Sequence, residues 1–249
     1  MTVDDFTLQG YASLLCALTQ EGYSSVGYED VRPTERQVII RHDIDFEPTY
    51  ALPLGELEKR NSVSGWYFFL VRSPFYNITA PQTVEVLHEL RDMGHQIGLH
   101  FDASLFLDDP EVLDREARWE CELLESVTSA PVEMVSFHRP KPALLGLAKP
   151  IGGRDHTYHP RYFNDIGYCS DSRGAWGHGH PLSHKALGEG RAFQLLTHPI
   201  WWATDSAGDP NAALATLQAT RSKSLRANLA QTITGYDDGV GRVLKEGNR

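Results

Sequence analysis

Residues 37–45 read QVIIRHDID, and residues 94–100 read GHQIGLH. In the first stretch the β-branched run Val38-Ile39-Ile40 favours a strand, which ends at once in Arg41-His42-Asp43-Ile44-Asp45. In the second, Gly94 closes what precedes it and a short apolar run leads to His100. Two later stretches repeat the arrangement: Ser136-Phe137-His138-Arg139-Pro140 and Leu195-Leu196-Thr197-His198-Pro199. Acids and imidazoles gathered at the ends of separate strands are how α/β proteins assemble active sites. The four stretches therefore predict an α/β fold with a polar site at one end of its sheet.

Between these stretches the pattern switches to helical spacing. Residues 49–60 carry leucines three to four apart, and residues 64–71 (SGWYFFLV) predict a buried strand. Thr79 as cap and Pro81 in the first turn mark a helix whose buried face is Val84, Val86, Leu87 and Leu90, with Gly94 ending it. Residues 96–100 return as a strand, Asp109-Pro110 opens a helix to about residue 126, and residues 132–137 form the next strand. Residues 168–172 and 193–197 predict two more strands, and residues 210–232 a mostly polar helix. His156, His159, His178, His180 and His184 crowd the irregular segments at no helical His-pair spacing, which predicts a mobile polar loop rather than a second metal site. Uniformly apolar strands alternating with helices imply a parallel sheet covered on its faces. An open sheet and a closed barrel both satisfy that pattern.

Composition excludes several functions. The chain has 249 residues, 41% of them apolar, enough for one sizeable core, and no linker or repeat divides it, so residues 1–249 read as a single domain. A net charge of -10 without a basic stripe argues against nucleic acid as a partner. No apolar run approaches the ~20 residues of a membrane span. Residues 1–20 carry Asp4 and Asp5 and lack the pattern of a secretory signal. Cys16, Cys121 and Cys169 are too irregularly spaced for a disulfide framework or a thiolate zinc site, and the expected compartment is the cytoplasm.

The clusters suggest a chemistry. Asp43 and Asp45, two apart on a strand, share a face, so one carboxylate can bind a cation while the other takes a proton from water. The alternative is that one caps the next helix and the other pairs with Arg41. His100 lies at the strand end expected to face the other clusters, whereas His95 sits in a turn. His138 and Arg139 are adjacent, so both enter the site only if the strand has already bent. Trp201 and Trp202 follow His198-Pro199 and could stack on a sugar ring or wedge the last helix against the sheet.

In this order the clusters resemble the motifs of the polysaccharide deacetylase superfamily, the NodB-homology carbohydrate esterases of family 4. HDID at residues 42–45 is similar to that family's first motif, with one residue inserted between the acids, and GHQIGLH matches its second closely. Arg139-Pro140 corresponds to the third, Asp171 followed by Trp176 to the fourth, and Leu196-Thr197-His198 to the fifth, so the resemblance spans roughly residues 37–202.

The resemblance implies a distorted (β/α) barrel with fewer than eight regular strands and a divalent-metal cofactor, Zn²⁺ foremost. It also implies hydrolysis of a linear amide, releasing acetyl or formyl from an amino sugar or a surface-polysaccharide precursor, so that a carbohydrate is the expected partner. Asp43 would be the general base, Asp45 and His100 metal ligands, Arg139 the residue orienting the base, and His198 the general acid. Asp171, Trp176 and Trp201 would serve the sugar pocket. A further histidine ligand is normally expected at the position of Ser104, and His138 is the nearest replacement in kind. Two alternatives remain open: a carbohydrate-binding pseudoenzyme, and a metal-dependent amidase acting on a small cyclic amide or ureide.

Overall fold

A computed structural model describes residues 6–204, 206 and 208–237. Its strands are β1 (Ser24–Ser25), β2 (Gln37–Ile44), β3 (Trp66–Phe69), β4 (Gln96–Phe101), β5 (Met134–Phe137), β6 (Asp155–His156), β7 (Gly167–Ser170) and β8 (Phe193–Thr197). The longer helices are α1 (Leu8–Gln20), α2 (Ala51–Arg60), α3 (Pro81–Asp92) and α4 (Pro110–Thr128); α5 (Pro160–Phe163), α6 (Lys185–Gly188) and α7 (Pro199–Ala203) are single turns, and α8 (Pro210–Thr232) comes last. Every pairing among these strands is parallel, in the order β6-β5-β4-β3-β2-β8-β7, with β1 beside the start of β2. The sheet curls into a distorted, half-closed barrel. On β8, next to the last strand in that order, the Gln194 amide donates to the carbonyls of Thr157 (3.2 Å) and Tyr162 (3.0 Å), in the segment just after β6, so a side chain bridges the two sides of the curled sheet.

Alternation along the strands sorts the side chains into layers. On β2, Val38 and Ile40 face outward with Tyr11, Leu14 and Leu54 of α1 and α2, while Ile39 faces inward with Trp66, Phe68 and Met134. A third cluster, built on Leu87, Leu90, Leu99, Phe101, Ala117 and Leu124, joins α3 and α4 to the other half of the sheet. The interior is tight. A Cβ at Gly98 of β4 would lie 2.4 Å from the Phe68 ring and 2.9 Å from the Met134 carbonyl, so this position takes no side chain.

The strand that starts at Gln37 runs on past its apolar run, which ends at Ile40, to Ile44, because its polar residues find buried partners on both faces. Thr79 does not cap α3. Its hydroxyl donates to Asn77 (2.9 Å) and the cap position is Ala80, without a side-chain bond. The expected helix over residues 210–232 is present as read, with the Asp209 carboxylate accepting from the Asn211 amide (2.9 Å). Three histidines of the irregular segments are caps: Nδ1 of His159, His180 and His184 each accepts the amide proton two residues on, at 3.2 Å. No helix among the described residues is long and apolar enough to cross a membrane.

Candidate functional site

The carboxyl ends of β2, β4, β5 and β8 bring the expected side chains together, as parallel barrels do at this face. Asp45 follows β2, His100 lies in β4, His138 follows β5 and His198 follows β8. The His138 amide continues the ladder by donating to the Phe101 carbonyl (2.9 Å), which sets its imidazole beside that of His100. Asp45 Oδ1 lies 3.1 Å from His100 Nε2 and 3.2 Å from His138 Nδ1, and the two ring nitrogens are 3.2 Å apart.

These three atoms fit a divalent cation. Ser136 Oγ donates to Asp43 Oδ1 (3.2 Å), so its lone pair accepts from His100 Nδ1 (2.5 Å). The His100 proton is thereby fixed on Nδ1 and the Nε2 lone pair points at the cluster. Electron-rich atoms converging in this way repel one another unless a positive species lies among them. Their separations are close to the edge of a tetrahedron drawn around zinc at about 2.0–2.1 Å from each ligand. Among the described residues Asp45, His100 and His138 form the group able to hold a metal. Ser104, where the family motif has histidine, stands aside: its hydroxyl and amide both donate to Asp102 Oδ1 (2.5 and 3.0 Å).

Asp43 lies on the same face, two residues before Asp45, and is buried. Its Oδ1 accepts from Arg41 Nε (3.0 Å) and its Oδ2 from Arg41 Nη2 (2.7 Å), a two-pronged pair inside the barrel. The guanidinium also lies over the rings of Tyr158 (5.0 Å) and Phe68 (5.7 Å). Burial would raise the Asp43 carboxyl, yet Arg41 keeps it below its ordinary value. The resemblance assigned this orienting role to Arg139, and the geometry corrects that. Arg139 donates to Asp102 (2.6 Å) and leaves about two thirds of its side chain exposed, because its left-handed backbone (φ 47°) turns it out of the strand.

His198 faces the cluster from the other side, with Nε2 3.9 Å from Asp45 Oδ2. Behind it, Asp171 accepts from His198 Nδ1 (2.6 Å), from the His198 amide (3.0 Å) and from Trp202 Nε1 (2.7 Å). Burial would lower the His198 pKa, but the Asp171 carboxylate overrides it and raises it to about 9. Asp171 therefore does not line a sugar pocket, because it is fully buried and its oxygens are committed to His198 and Trp202. The tryptophans pack among other aromatic side chains. Trp201 is buried and its ring meets Phe46 edge-on (6.3 Å), while Trp176 stacks on Phe6 (5.7 Å) and leans on Trp202 (5.9 Å). Both are parts of one apolar cluster.

Two contributors went unread in the sequence. Arg41 was seen only as a possible ion-pair partner, and Ser136, which fixes the His100 proton, carried no signal beyond its place two residues before His138. Alternation on β5 puts both on one face and was the available clue.

No family model matches the chain, and no curated protein matches it. Among solved structures it is similar to a family 4 carbohydrate esterase from Bacillus anthracis, at 18% identity over 85% of this chain and 86% of that one, with a TM-score of 0.47. It is also similar to a Streptococcus pyogenes deacetylase solved in complex with acetate, at 13% identity over 83% and 85% of the two chains (TM-score 0.45). A family 4 pseudoenzyme from Bacillus anthracis is similar at 12% identity over 76% and 63% (TM-score 0.48).

Proposed function

We propose that this chain is a metal-dependent hydrolase that removes an N-acyl group, acetyl or formyl, from an amino sugar or a precursor of surface polysaccharide. The observation that carries the reading is the convergence of Asp45, His100 and His138 within 4.8 Å of one another, with Asp43 on one side and His198 on the other. The sugar substrate rests on the motif resemblance, GHQIGLH above all.

A bound divalent cation, Zn²⁺ in this reading, would polarise the acyl oxygen and acidify water at neutral pH. The chain's own groups supply the proton steps. Asp43, ionised and fixed by Arg41, takes the proton of the attacking water on Oδ2, the oxygen nearer the cluster (3.7 Å from His100 Nε2). His198, held protonated by Asp171, gives the Nε2 proton to the nitrogen as the C–N bond breaks. Solvent then returns a proton from Asp43 to His198. Acid and base are kept apart because each has a buried partner of opposite charge, Asp171 for one and Arg41 for the other.

The test is release of acetate or formate from N-acetyl and N-formyl amino sugars by the Zn²⁺-loaded protein. Release that disappears in Asp43→Asn is expected. A folded, Zn²⁺-loaded protein that binds these sugars and releases no acyl group would favour a binding protein, and release only from cyclic amides would move the substrate class.

A further inference from the structure

On the outer face of the sheet, opposite the site, lies a second polar cluster that the chemistry above does not use. Glu58 of α2 is fully buried, and its Oε1 accepts from His42 Nε2 (2.6 Å) and from the Tyr11 hydroxyl (2.5 Å). Its Oε2 accepts from the Tyr67 hydroxyl (2.8 Å), with His95 Nδ1 at 3.4 Å. Position 65 has to be glycine for the carboxylate to fit, since a Cβ there would come 2.6 Å from Oε2.

We propose that Glu58 is a positioning residue for the deacylation, an inference that rests on the roles given above to Asp43 and His198. Two routes lead from Glu58 to the working groups. Along the first, His42 Nδ1 meets the Thr197 hydroxyl (2.7 Å) where β2 and β8 pair residue for residue, His42 opposite Thr197. His42 immediately precedes Asp43, and Thr197 immediately precedes His198, so one hydrogen-bonded column sets the relative height of base and acid. Along the second, the Tyr11 ring packs edge-on to Trp202 (5.3 Å), whose Nε1 donates to Asp171, the partner of His198. Both routes act through other residues, and Glu58 itself touches no reacting atom.

Packing alone does not call for this arrangement. Burying a carboxylate and an imidazole against each other carries a desolvation cost that well-packed apolar residues would avoid. Apolar contacts, however, are non-directional, whereas a carboxylate accepting from three donors, His42, Tyr11 and Tyr67, fixes orientation. Small displacements of reacting groups are costly, about 10²-fold for 1 Å.

The test uses Glu58→Gln and Thr197→Val in the full, Zn²⁺-loaded chain. Thr197→Val keeps the branched shape and removes only the hydroxyl, so it remains informative if Glu58→Gln does not fold. In each folded variant kcat should fall by roughly 10–100-fold, with KM and Zn²⁺ affinity unchanged. The downfield Nδ1 proton resonance of His198, set by its bond to Asp171, should shift or broaden while the His138 ring signals stay in place. Unchanged kcat together with an unmoved His198 resonance would overturn the inference. So would a loss of Zn²⁺ affinity as large as the loss of kcat, the mark of general damage. If the wild-type chain shows no deacylation, the proposed function fails on that result; a moved resonance then still shows that Glu58 and Thr197 position His198, and an unmoved one overturns that positioning as well.

Discussion

Asp171→Asn should flatten the pH dependence of stability of the metal-stripped protein between pH 6.5 and 9. In the wild type the buried Asp171 carboxylate raises His198 to about 9, against about 6.5 for a free imidazole. That difference corresponds to about 3 kcal/mol, at 1.36 kcal/mol for each tenfold change in proton affinity. Because the folded-state value lies above the unfolded one, the contribution is fully present below pH 6.5 and is lost as the pH rises towards 9. In the asparagine variant the Asp171 charge is gone and only Asp45 and Asp43 still oppose the effect of burial, so the His198 value falls and much less stability is lost between pH 6.5 and 9. Urea denaturation of both proteins at pH 6.5 and pH 9 reads the difference directly, and taking it between the two proteins cancels every other titrating group. The gap should be wider at pH 6.5 than at pH 9, by up to about 3 kcal/mol. What persists at pH 9 is the cost of an imperfect acceptor for Trp202 Nε1 and the His198 amide, roughly 1–3 kcal/mol. A wild-type protein with flat stability across this range, or a variant with the same slope, would refute the assignment of His198 as an imidazolium held by Asp171. The same variant should lose activity above about pH 6 if His198 protonates the leaving nitrogen.

Arg41→Met leaves Asp43 buried and unpaired and should destabilise the fold by about 3–5 kcal/mol, whereas Arg139→Met removes a largely exposed pair and should cost no more than about 1 kcal/mol; equal or reversed costs in urea melts would undo the assignment of Arg41 to the base. Gly98→Ala forces a methyl group against Phe68 and the Met134 carbonyl and should cost about 1–3 kcal/mol, with part of it recovered by Phe68→Leu; a neutral Gly98→Ala would mean that the barrel interior is looser than described. Saturating Zn²⁺ at about 100 times its Kd should stabilise the wild-type protein by about 2.7 kcal/mol. His100→Ala should remove that gain, and a persistent gain in that variant would place the cation elsewhere.

Much of the fold was legible because its elements obey simple periods. Residues 193–197 and 210–232 match their expected bounds, the first as a strand and the second as a mostly polar helix. The half-closed barrel was not legible from periodicity, since closure depends on Gln194 reaching across to Thr157 and Tyr162, a contact between residues more than thirty apart. The site divides in the same way. Asp43, Asp45, His100, His138 and His198 announce themselves as polar groups at the ends of apolar runs. Arg41 is legible only as a possible ion-pair partner of one of the two aspartates, and Glu58 not at all, because on a helix it reads as an ordinary surface charge until the buried donors His42, Tyr11 and Tyr67 are found around it. Asp171 was visible as a motif residue, but nothing in the sequence tells whether a side chain just past a strand end faces the cavity or lies behind a neighbouring imidazole.

The claim on which the account rests is that Asp45, His100 and His138 hold one divalent cation. Titration of the metal-stripped protein with Co²⁺, followed through its visible absorption bands, tests it in one measurement. One equivalent per chain is expected, with the bands lost in His138→Ala and retained in Ser104→Ala. No binding by the folded protein, or binding that survives His138→Ala unchanged, would contradict it.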